Sequence, residues 1–190
     1  WYKNINGAPG FNNDGLKALK RKVDEMGNLL VAITFDEMSI RKHLDCDGEK
    51  MRGYIDMGTE LDDEYLPLAS NVLVYMTVAL NGSWKIPIAY FFITTLSAME
   101  KVNVTTLVVQ NVLSTGVKVV SITCAGPTRI WFNNRHRKVH SLLTIDNAQI
   151  YFLLDNCHML KLLRNMLFAE KVLFDGDGNV ICNIVLLTLY

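Results

Sequence analysis

Two apolar runs of this chain stop on acids. Leu29–Phe35 ends against Asp36 and Glu37, and Ile150–Leu154 ends against Asp155. A strand covered on both faces reads as continuous hydrophobics rather than as an alternation, so both runs predict buried strands. A carboxylate at the last residue of such a strand sits at the edge of a sheet, where a metal ion and a substrate have access. Three more apolar segments, Val72–Leu80, Ile86–Ile93 and Val117–Cys124, read the same way. A chain with five such runs must build its core around a sheet.

The connections between these runs set the kind of sheet. Asn81-Gly82-Ser83-Trp84 joins two of them as a hairpin, and Asp45-Cys46-Asp47-Gly48 marks a smaller hairpin between Ile40–Leu44 and Met51–Ile55. Residues 1–13 read as irregular. Asp14 as N-cap, an apolar stripe of Leu16, Leu19, Val23 and Met26, and Gly27 beyond predict a helix. Ser97–Leu113, ended by Gly116, is a second helix, its flanks outweighing its Val and Thr content. Asn156–Phe168 is a third, with a stripe of Met159, Leu160, Leu163, Met166 and Leu167. Antiparallel strands followed by a helix and then by strands alternating with helices give a mixed α/β sheet.

Half of the 190 residues are hydrophobic and a fifth are charged, enough for one well-cored domain. The formal net charge is zero, which argues against a large sequence-independent affinity for nucleic acid. Its distribution is uneven, however. Asp36–Glu64 holds ten acids against four Lys and Arg, whereas Arg129–His140 holds four Lys and Arg, two His and no acid. The four cysteines form no Cys-x-x-Cys pair, so neither a zinc site nor a disulfide framework is indicated. Asn71–Ala98 is interrupted by Asn81-Gly82-Ser83, Lys85 and Pro87, leaving apolar pieces shorter than the roughly twenty residues a bilayer-spanning helix needs. No membrane partner is expected.

Two strings around the acids are unusually specific: Asp36–Gly58 (DEMSIRKHLDCDGEKMRGYIDMG) and Leu154–Asn165 (LDNCHMLKLLRN). Both resemble the catalytic domain of P-element-type DNA transposases, the group that includes the THAP-domain transposase. The resemblance covers Asn28–Thr128 and returns over Gln149–Asn179. It implies a ribonuclease H-like fold, with a mixed five-stranded sheet in the order 3-2-1-4-5, flanking helices and an extra hairpin after strand 1. The strands begin near Leu29, Val72, Ile86, Val117 and Ile150. The expected division is an irregular segment and short helix over 1–28, the core over 29–168, and a C-terminal segment over 169–190 that would lead into the family's GTP-binding insertion.

Two-metal phosphoryl transfer holds two Mg²⁺ ions about 4 Å apart between carboxylates, one activating the attacking oxygen and the other the leaving oxygen. Adjacent strands lie about 4.8 Å apart, so the natural partner of Asp36 is the residue ending strand 4, and that residue is Ala125. The resemblance implies the same correspondence. The family's first catalytic Asp falls on Asp36. Its second, in Cys-Asp-Gly-Pro-Thr, falls on Ala125 within Cys124-Ala125-Gly126-Pro127-Thr128, and the Asn five residues later is Ile130. The third acid, a Glu, is expected beyond this chain. Asp36 is therefore the one expected metal ligand present, for a Mg²⁺ cofactor whose binding needs more than one carboxylate. The implied ancestral activity is DNA cleavage and strand transfer in the nucleus, on transposon ends recognised by neighbouring domains, with self-association in the full-length protein. The alternative expectation is a domesticated protein- or nucleic-acid-binding module that kept the fold without the chemistry.

Several side chains have both a functional and a plain structural reading. Asp155 is either an auxiliary acid or the cap of the helix it precedes. His158, Lys161 and Arg164 either touch phosphate, as the family string Asp-x-x-His-x-x-Lys-x-x-Arg-Asn implies, or form a solvated helix face. Arg135, Arg137 and Lys138, following Trp131 and Phe132, mix cations with aromatics as single-strand binders do. Asp56 reads as a turn organiser. Lys17–Lys22 reads as either a nuclear import signal or the wet side of a helix.

Overall fold

A computed structural model describes residues 8–46, 51–58, 66–124, 142–169, 172–174 and 177–182. Contacts divide the chain into two compact units, Trp1–Leu153 and Leu154–Tyr190. In the first, a seven-stranded sheet is built from β1 (Gly10–Phe11), β2 (Leu30–Ser39), β5 (Asn71–Ala79), β6 (Lys85–Ile93), β7 (Lys118–Cys124), β8 (Leu142–Ile145) and β9 (Ala148–Leu154). The short strands β3 (Asp45–Cys46) and β4 (Met51–Arg52) form a separate pair.

The sheet order is β1-β6-β5-β2-β7-β9-β8. Its five central strands reproduce the expected 3-2-1-4-5. β2 pairs antiparallel with β5 and parallel with β7, the mixed connectivity that hairpins on one side and a helical crossover on the other require. The crossover is α2 (Ala98–Leu113), whose start is fixed by a capping box: Ser97 Oγ accepts from the Glu100 amide and the Glu100 carboxylate accepts from the Ser97 amide. That reciprocal pair explains why a Val- and Thr-rich segment is helical here.

Helices α1 (Asn13–Met26) and α2 touch each other and pack on one face of the sheet. Val31, Ile33, Phe35, Leu73, Tyr75, Ile88 and Phe91 fill the core there, with Val108, Val109 and Val112 of α2 and Leu19 of α1. On β2 the alternate residues Leu30, Ala32 and Thr34 are only half-buried. The expectation of strands buried on both faces is thus corrected: the continuous apolar run covers one buried face and one half-open face.

Three local expectations are also corrected. β2 does not end at Asp36 but runs to Ser39, because β5 keeps supplying backbone partners through Ser39↔Asn71. The cap of α1 is Asn12 rather than Asp14: its Oδ1 accepts from the Gly15 amide while its Nδ2 reaches Pro87 O on β6, a long-range tie that local sequence does not display. Asp45 and Cys46 are strand residues of the small hairpin rather than its turn. The second unit contains α3 (Asn156–Ala169) and the antiparallel pair β10 (Val172–Phe174) and β11 (Val180–Cys182).

Candidate catalytic edge

Asp36 directly follows the last described pair of the parallel ladder between β2 and β7. In the parallel ladder the last described pair is Phe35↔Cys124, while the antiparallel ladder continues with Asp36↔Val74 and Glu37↔Leu73. Alternation then sends the two acids to opposite faces. Asp36 is exposed on the half-open face, and its Oδ1 accepts from the Glu37 amide at 2.8 Å.

Glu37 turns toward α2 and pairs with Lys101, both side chains being largely enclosed. The Lys101 ammonium neutralises the Glu37 carboxylate there. One helical turn on, Thr105 meets the hydroxyl of Tyr75 at 2.9 Å, both residues being fully buried. Burial drives the Tyr75 phenol far above the ordinary range; the Thr105 bond partly offsets this, and the nearby Glu37 and Cys124 add to it. An ion pair and a buried hydroxyl pair thus tie this edge together beneath Asp36. A polar layer that no sequence motif marked joins β2, β5 and α2 there.

Ala125, Arg135, Arg137 and Lys138 lie outside the described residues. Asp155 precedes α3, and its Oδ1 accepts from the amides of Cys157 at 2.9 Å and His158 at 3.3 Å, the arrangement of a helix cap. On α3, His158 is half-buried, whereas Lys161 and Arg164 are exposed, with Arg164 Nη2 donating to Asn165 Oδ1 at 3.3 Å. Of the apolar stripe on this helix, the described members Met159, Leu160 and Leu163 are exposed. Asp56 Oδ1 accepts from the Gly58 amide at 2.8 Å, and its backbone bridges to Phe92. In the Lys17–Lys22 run, Lys17 pairs with Asp14 on the surface and Lys22 lies over the Trp84 ring at 5.2 Å from its centroid. No helix among the described residues is long and apolar enough to cross a membrane.

The donor set of the described residues does not fit a two-metal clamp. Among the described residues no three His, Cys, Asp or Glu side chains converge on one point.

The sequence family described as TNP-like, RNase H N-terminal domain matches residues 7–131. The chain belongs to that family. It is similar to the human DNA transposase THAP9, with 24% identity over 180 residues that take in 87% of this chain and 20% of the relative. Its fold is similar to a solved structure titled Drosophila P element transposase strand transfer complex, with a TM-score of 0.67 and 17% identity over 95% of this chain and 38% of that one. This likeness shows the fold, and the family match makes it ribonuclease H-like. The chain spans about a fifth of the length of the human relative.

Proposed function

We propose that this chain is part of the catalytic core of a P-element-type transposase, with Asp36 as the surviving first metal-binding carboxylate and Ala125 in the place of the second. The observation that carries this reading is the register Phe35↔Cys124. Residues 36 and 125 directly follow a parallel pair, and parallel neighbours are about 4.8 Å apart, a separation that two carboxylates sharing an ion would need. With alanine at one of those positions, one carboxylate remains. A single carboxylate holds a hard divalent cation weakly, since Mg²⁺ sites combine carboxylates with water and phosphate oxygens. Mg²⁺ would supply activation of the attacking oxygen and neutralisation of the leaving one when bound. Asp36 would supply a ligand, and the Glu37–Lys101 pair and the Tyr75–Thr105 bond would hold the strand that carries it. DNA is the substrate class of this reading, at transposon ends.

The reading expects no Mg²⁺- or Mn²⁺-dependent cleavage or joining of DNA by the purified chain. Turnover that disappears in Asp36→Ala would overturn it.

A further inference from the structure

The half-open face of the sheet carries more than Asp36. Register places Asp36, Val74 and Tyr90 in one row across β2, β5 and β6, and Met38, Val72 and Phe92 in the next. Partners in a ladder share a face, so Tyr90 and Phe92 stand on the side of the sheet to which Asp36 points, about 10 Å away by two strand spacings. Both are half-buried, and their rings meet edge to face with centroids 5.8 Å apart and planes at 86°. On the outer side the ladder partner of Tyr90 is Gly10, and the backbone of Gly58 packs where a Gly10 side chain would stand. Asp56 bridges to Phe92 from the same outer side.

Cations lie next to this pair. Arg52 is near enough for its charge to act on the Tyr90 phenol, opposing the effects of burial and of Asp56. Gly53 lies against the backbone of His43, which brings the exposed segment Arg41-Lys42-His43 beside it. Asp45 and Asp56 are in the same neighbourhood, so the local charge is mixed rather than strongly basic. A ligand here must gain chiefly from ring contact, with modest help from phosphate neutralisation.

We propose that Tyr90 and Phe92 form a stacking platform for unpaired nucleobases of a DNA strand whose backbone passes Asp36. This rests on the reading of Asp36 given above. Aromatic rings on a sheet surface stack bases without regard to sequence, because every base has a π-face. The spacing is suitable: a base one or two nucleotides from a phosphate at Asp36 reaches Tyr90 without bending the sheet.

The test measures binding of a fluorescently labelled, single-stranded oligo-dT to the whole chain by anisotropy, across a salt series. Tyr90→Leu and Phe92→Leu keep the side chains apolar, and thermal melting by circular dichroism checks that each variant folds. Each substitution should weaken binding roughly ten-fold, as loss of one stacked base does. The slope of log affinity against log salt should stay small, about two or less, reflecting few phosphates neutralised. As a readout independent of variant folding, oligonucleotides carrying 5-iododeoxyuridine are photocrosslinked to the unmodified chain, with adducts expected on Tyr90 or Phe92. Folded double-variant protein that binds as before, adducts confined to other segments, or no binding by the unmodified chain would each overturn the platform. None of these results bears on Asp36 as a metal ligand, which metal titration decides separately.

Discussion

The buried hydroxyl pair beneath Asp36 makes an asymmetric prediction. Tyr75 and Thr105 are 0% and 1% exposed, and their hydroxyls meet at 2.9 Å. Thr105→Val is close to isosteric and leaves the Tyr75 hydroxyl buried without its partner, which costs about 1–3 kcal/mol. Tyr75→Phe removes the other half, but Thr105 can turn its hydroxyl to the carbonyl one turn back, as Thr106 does to Val102 O at 2.8 Å. That variant should lose only about 0.5–1 kcal/mol, the net worth of an ordinary hydrogen bond. The double variant should resemble Tyr75→Phe, because two apolar groups of matching shape leave nothing unsatisfied. The same pair sets an alkaline limb. An unfolded tyrosine ionises near pH 10, while burial keeps Tyr75 protonated in the native state well above that. Above about pH 10 the unfolded chain therefore binds fewer protons than the native one, and stability falls by about 1.4 kcal/mol per pH unit from this residue. Below pH 10 the contribution is fully present. Urea unfolding of the three variants, with wild type and Tyr75→Phe repeated from pH 8 to 11, measures all of this. Thr105→Val no worse than Tyr75→Phe, or an alkaline limb of equal slope in both proteins, would refute the reasoning.

Two further perturbations follow from local geometry. Ser97→Ala removes one side of the α2 capping box and should destabilise the chain by about 1 kcal/mol in thermal melting. The same hydrogen bonds from Ser97 hold the Glu100 carboxyl below its usual range, so their support is complete above about pH 4.5 and fades as pH drops through the lowered value. Loss of stability confined to alkaline pH would contradict that sign. Gly53 has φ +115°, and an added Cβ would be driven into the His43 carbonyl. Gly53→Ala should cost about 1–3 kcal/mol and speed hydrogen exchange at the Asp56 amide, which donates to Phe92 O at 2.9 Å; unchanged exchange would rule this out.

The strands of the central sheet were legible because their signal is local: five apolar runs mark them and one Asn-Gly turn pairs β5 with β6, whereas their order across the sheet came from the family resemblance. The two outermost strands were not legible for different reasons. β1 is two residues long and exists through ties to β6, among them Asn12 N to Ile88 O. β8 did carry a signal: Asp146-Asn147, both with positive φ (47° and 63°), form the two-residue turn between Leu142–Ile145 and β9. The end of the apolar run at Phe35 marked where the paired register with β7 ends among the described residues, not where the strand ends. Backbone pairing with β5 needs no hydrophobic side chain. Of the site, the place of Asp36 could be read from strand order, whereas the Glu37–Lys101 and Tyr75–Thr105 contacts arise from packing between segments up to 64 residues apart.

The account rests on position 125 lying beside Asp36 as an absent second ligand, and titration of Mn²⁺ into the folded chain and into Ala125→Asp, followed by calorimetry, tests it most directly. The expected result is one weak site or none in the wild-type chain and clearly tighter binding in Ala125→Asp that is lost again when Asp36→Ala is added. Tight binding of two ions by the wild-type chain, or an Ala125→Asp titration identical to wild type in a folded protein, would contradict it.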